Sequence, residues 1–65
     1  MNEITGDILV TGKHYSLCVA YNIKSFPIYI IYLGEPWVGE LSYTLDNELK
    51  AYSLYYELEN SQEVL

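Results

Sequence analysis

From His14 to Tyr21 the chain alternates, with Tyr15, Leu17, Val19 and Tyr21 on one side and His14, Ser16, Cys18 and Ala20 on the other, the period of a β-strand with one bulky and one small face. Ile4 to Val10 reads as an earlier strand, joined to it through Thr11-Gly12-Lys13, a short glycine-containing connection that suits a hairpin. After a turn at Asn22-Ile23-Lys24-Ser25, the segment Pro27 to Leu33 is apolar on both faces, as expected of a central strand covered on both sides. Gly34-Glu35-Pro36 marks another turn. Trp37 to Tyr43 then places Trp37, Gly39, Leu41 and Tyr43 on one face and Val38, Glu40 and Ser42 on the other, an edge strand whose Glu40 discourages further pairing.

The period changes after Tyr43. Thr44 is a suitable N-cap for a helix from Leu45 to about Asn60, with Asp46 and Glu48 in a first turn that favours negative charge. Stepping about 100° per residue lines up Asp46, Lys50, Ser53, Glu57 and Asn60 as the solvent side. Two apolar stripes remain, Leu45/Leu49/Tyr52/Tyr56 and Ala51/Leu54/Leu58, more than one sheet face can cover. Between them runs a ridge of Glu48, Tyr52, Tyr55 and Glu59 that mixes aromatic area with carboxylates. With Glu57 and Glu59 opposing the dipole at its end, the helix should fray into a tail over residues 61–65.

These elements predict one small α+β domain over residues 1–65, a four-stranded, mostly antiparallel sheet followed by one C-terminal helix, in the order ββββα. A chain of 65 residues has room for one core only, and its 51% hydrophobic and 18% charged residues exclude intrinsic disorder. A domain this small hides only about 60% of the surface its unfolded chain exposes, so it needs extra support. The single cysteine, Cys18, cannot close an internal disulfide, and Cys18 with the single histidine, His14, falls short of a structural zinc site, so association with another chain is the remaining source. No metal or cofactor is expected.

Charge sharpens the picture. Three lysines against nine acids give a net charge of −6. Residues 1–34 are neutral, Glu3 and Asp7 balancing Lys13 and Lys24, so the whole excess lies in the C-terminal half. That balance argues against direct binding to nucleic acid or an anionic membrane and favours a protein partner with a basic surface. The longest apolar run, Phe26 to Leu33, is eight residues, where a span needs about 20. Without a signal-peptide pattern and with a free thiol, a cytoplasmic location is expected, the host cytoplasm if the protein is phage-encoded.

Catalytic chemistry finds little footing. His14 and Cys18 lie about 13 Å apart along a strand, too far to hydrogen-bond. No phosphate-binding glycine loop or HExxH motif occurs, and acids on an exposed helix offer no cleft to raise a carboxyl pKa. The expectation is a protein without enzymatic activity. Eight tyrosines are more than such a core can bury with every hydroxyl satisfied, and surface tyrosine is enriched where proteins grip one another.

The reading that follows is a small acidic inhibitor occupying the basic groove of a nucleic-acid-handling protein such as a nuclease, CRISPR effector or polymerase. Its binding residues would be Glu48, Tyr52, Tyr55, Glu59 and Glu57 on the helix with Glu35 and Trp37 in the preceding turn. In size and charge balance the chain is similar in general character to small phage and mobile-element proteins that block such host enzymes, which would imply evasion of host defence. The alternative is a self-assembling structural or adaptor subunit, a homo-dimer or larger, whose apolar helix stripe and Phe26 to Leu33 strand are buried between copies.

Overall fold

The computed structural model describes residues 5–22 and 25–62, so the expected turn at Ile23-Lys24, the start of the first strand at Ile4 and the end of the tail at 63–65 lie outside the described residues. The order is ββββα, with β1 (Thr5–Thr11), β2 (Tyr15–Asn22), β3 (Ser25–Leu33), β4 (Glu40–Leu45) and α1 (Glu48–Gln62). The strands form one antiparallel sheet in sequence order, β1-β2-β3-β4, which makes β2 and β3 central and β1 and β4 the edges. Pro27 is tolerated inside a central strand because it falls at the irregularity between Ala20 and Asn22 and beyond the end of β4 pairing, which begins at Tyr29.

Two bulges set which side chains face the helix. In β1, Ile8 pairs with Cys18 and Val10 with Leu17, so Leu9 is the extra residue and Ile8 and Val10 point to opposite faces. In β4, Tyr43 pairs with Ile31 and Leu41 with Tyr32, leaving Ser42 unpaired. Leu41 and Tyr43 therefore lie on opposite faces, where simple alternation puts them on one.

The helix packs across β2, β3 and β4 on the face that carries Leu17, Val19, Tyr29 and Ile31. Leu17, Ile31, Ala51 and Tyr55 form the buried centre, flanked by Val10, Tyr15, Tyr29, Leu45, Tyr52 and Leu58. The bulky face of β2 is thus the inner one. Asp46, Lys50, Ser53, Glu57 and Asn60 are all exposed, as the 100° step predicts.

The strand-to-helix boundary is displaced from its expected place. Thr44 and Leu45 pair with Ile30 and Tyr29 in β4, and the N-cap is Asn47, whose Oδ1 accepts the Lys50 N–H at 3.0 Å while its carbonyl accepts the Ala51 N–H at 2.9 Å. Thr44 is not the cap because its backbone is committed to the sheet, and asparagine caps at least as well.

The fourth strand also starts later than alternation suggests, since residues 34–39 form a folded loop. Gly34, at φ 104°, turns the chain; its N–H donates to the His14 carbonyl at 2.8 Å and its carbonyl accepts the Ser16 hydroxyl at 2.7 Å. The Gly39 N–H closes the loop on the Glu35 carbonyl at 2.8 Å. This places Trp37 on the sheet face opposite the helix, against Gly6 and edge-to-face with Tyr32, ring centroids 5.9 Å apart. Cys18 and Ser16 are fully buried beneath that cover.

Candidate protein-binding site

The expected ridge of Glu48, Tyr52, Tyr55 and Glu59 is divided by the packing of the helix. Tyr55 is 1% exposed, and its hydroxyl donates to the Tyr15 carbonyl at 2.9 Å. Glu59 is buried as well. Its carboxylate accepts the backbone N–H groups of Lys13 at 3.0 Å, His14 at 3.1 Å and Tyr15 at 2.8 Å. A residue at the buried centre and one turned four positions further share a face, so Ala51, Tyr55 and Glu59 run together along the inner side. The two ridge members assigned to an outside partner instead tie the end of the helix to the β1–β2 turn.

What stays accessible is a different set. Glu48 is exposed, Tyr52 half-buried and Tyr56 exposed, following one another at intervals of four, and Leu49 beside them is 80% exposed. The Tyr52 and Tyr56 rings stack at 6.3 Å with 23° between their planes, and Tyr56 meets Tyr55 edge-on at 5.1 Å. Tyr29 comes up from the sheet into this group. Burial raises its hydroxyl pKa, and the neighbouring Glu48 carboxylate, Tyr21 and Tyr52 raise it further. Glu48 thus shares its helix flank with Tyr52 and Tyr56, on the side of the helix near Tyr29 of β3.

The remaining expected residues are not drawn into that group. Glu57 is exposed but nine residues from Glu48, a rotation of about 180° around the helix. Glu35 is exposed and Trp37 partly exposed in the 34–39 loop, and Trp37 belongs to the opposite sheet face. Tyr21, Tyr29, Tyr56 and Leu49 were not among the binding residues that the sequence suggested. The four-residue spacing of Glu48, Tyr52 and Tyr56 was a visible signal for one of them; the approach of Tyr29 and Tyr21 needs the strand register.

Among the described carboxylates Asp7, Glu35, Glu40, Asp46, Glu48 and Glu57 are exposed and only Glu59 is buried. Apart from Asp7 on β1, these exposed acids lie on the helix, on β4 and in the loops that flank β4. Among the described residues no group of three or more His, Cys, Asp and Glu side chains is placed to hold a metal ion. Among them, too, no helix is long and apolar enough to cross a membrane. Burial raises the Cys18 thiol pKa, against a smaller lowering by the hydrogen bond from the Trp37 backbone N–H. No protein-family model matches the chain, and neither a curated protein nor a solved structure matches it.

Proposed function

We propose that this protein is a small acidic binding protein without catalytic activity that occupies the basic, nucleic-acid-binding groove of another protein and inhibits it. The observation that carries the reading is the exposed helix flank on which Glu48 is followed at four-residue intervals by the stacked Tyr52 and Tyr56 rings, with exposed Leu49 beside them. Carboxylate beside aromatic faces suits lysine and arginine side chains, which gain both an ion pair and cation–π contact. Arginine and lysine line the grooves that hold phosphate backbones. The other exposed acids, Asp46, Glu57, Glu35 and Glu40, add long-range attraction that speeds encounter without having to touch the partner.

A phage or mobile-element origin fits an inhibitor of a nuclease, CRISPR effector or polymerase, and action in the host cytoplasm follows from such targets. The alternative reading, a self-assembling subunit with no nucleic-acid-linked target, has the apolar outer face of the sheet in its favour.

Affinity capture separates the two. Tagged protein is exposed to lysate of the source cell or its host, and retained proteins are eluted by stepped salt and by competitor DNA. The proposal expects one basic nucleic-acid-handling protein, released by DNA and lost with Glu48→Gln. Retention of nothing but untagged copies of the same chain would overturn it.

A further inference from the structure

The β1–β2 turn is shaped around a carboxylate. Glu59 Oε2 accepts the N–H groups of Lys13 at 3.0 Å and His14 at 3.1 Å, and Oε1 accepts that of Tyr15 at 2.8 Å, with the His14 N–H shared at 3.2 Å. Three consecutive amides thus converge on both oxygens of one anion, the concave arrangement by which backbone turns hold carboxylates and phosphates. In a closed two-residue hairpin the Tyr15 N–H would return the bond that the Gly12 N–H makes to the Tyr15 carbonyl at 2.9 Å. Here it is turned towards Glu59 instead.

The groups that aim these amides do not include Glu59. The His14 carbonyl accepts the Gly34 N–H at 2.8 Å, the Tyr15 carbonyl accepts the Gly12 N–H and the Tyr55 hydroxyl, and from Ser16 onward β2 is paired on both sides. Gly12 leaves the space for the anion, since a Cβ there would lie 2.7 Å from Glu59 Oε1 and against the Tyr55 hydroxyl. The occupant, by contrast, stands near the end of a helix with no basic residue in its last turn, where a carboxylate opposes the helix dipole. The turn, more than the helix, accounts for its position.

We infer that the β1–β2 turn is a preformed carboxylate-binding nest and that Glu59 is its built-in ligand, which closes the nest to carboxylates from outside. Tyr55, buried one turn earlier, fixes the helix so that the Glu59 carboxylate is presented at an effective concentration that dissolved carboxylate does not match. With that side chain removed, the same three N–H groups take a carboxylate from solution, and acetate has the size of the deleted end of the side chain. Lys13, in the turn itself, favours the anion against the negative charge of the rest of the chain. The nest lies eleven residues along the helix from Glu48, about 16 Å, and is independent of the basic partner proposed for that flank.

The experiment titrates the full-length Glu59→Ala variant with sodium acetate, and with sodium chloride at the same ionic strength, following the backbone amide resonances of Lys13, His14 and Tyr15. Expected are saturable shifts with acetate alone, at a dissociation constant on the order of 10 mM, the weak affinity of a four-atom ligand. The parent should bind acetate at least tenfold more weakly. Adding Gly12→Ala to the variant should weaken acetate binding at least tenfold, because the new methyl group fills the nest. If Glu59→Ala is unfolded in chloride, acetate should restore its far-UV circular dichroism where chloride does not, since a ligand of the folded state draws the chain towards it. Acetate shifts no larger than those of chloride would overturn the inference, as would equal binding by the parent, binding that ignores Gly12→Ala, or an unfolded variant that acetate does not rescue.

Discussion

Removing the Glu59 carboxylate leaves the Lys13, His14 and Tyr15 amides without their shared acceptor, and the hairpin turn without its tie to the helix. Hydrogen bonds to an ionised partner are the strong ones, so Glu59→Ala should cost about 2–3 kcal/mol in urea denaturation. Glu57→Ala, on the exposed side, should cost less than about 0.5 kcal/mol. A tyrosine next to that carboxylate behaves accordingly. Burial raises the Tyr55 hydroxyl pKa, with Glu59 and Tyr56 adding to the rise; burial likewise raises Tyr32, and Tyr29 and Cys18 are raised too. For each of these groups the native state holds its proton to higher pH than the unfolded chain does, so stability falls as pH rises. Their contribution is complete below about pH 8 and is lost from about pH 9 upward, as first the unfolded thiol and then the unfolded phenols ionise. Urea midpoints should be level across neutral pH and drop by pH 10.5; a midpoint that climbs over that range would contradict the burial of these hydroxyls.

The junction between β4 and α1 turns on which residue caps. Asn47→Ala should destabilise by about 1 kcal/mol, the usual cost of a lost N-cap, whereas Thr44→Ala should leave helix content unchanged, since Thr44 lies in the strand. Thermal melts followed at 222 nm check both. Here the limits of periodicity as a guide become visible. The alternation of β2, the hairpin at Gly12, the apolar central strand and the solvent side of the helix are local patterns, and each is present in the folded chain. Local pattern could not place the cap, because Thr44 and Asn47 are both good caps and pairing with Ile30 removes Thr44 from the choice. Nor could it foresee the bulges at Leu9 and Ser42, which reverse the faces of everything beyond them. Strand-like alternation at Trp37 and Gly39 was misleading for a related reason: Trp37 sits at φ 70°, and a Cβ on Gly39 would come within 2.5 Å of the Leu33 carbonyl oxygen, so these residues serve a tight loop. The same tertiary pairing divided the ridge. Glu48, Tyr52, Tyr55 and Glu59 follow one another at helical spacing, but only the side chains at the end near the β1–β2 turn find amides and a carbonyl to satisfy.

Taken whole, the molecule separates its chemistry by side. One sheet face and the inner side of the helix make the core, with Tyr55 and Glu59 satisfied there by backbone groups. The described strand residues that the register puts on the outer sheet face carry no charge. The exposed helix flank joins Glu48 to Tyr52, Tyr56 and Leu49 within a field of further carboxylates. If that flank is where a basic partner is held, capture must depend on it and not on the buried acid. The deciding measurement is the yield of DNA-releasable partner captured by the parent protein and by a Glu48→Gln/Tyr56→Ala variant with the same far-UV circular dichroism. A loss of at least about tenfold in the variant is the expected result, corresponding to about 1.4 kcal/mol of binding. Equal capture by both proteins, with release by DNA unchanged, would contradict the assignment of the site to this flank.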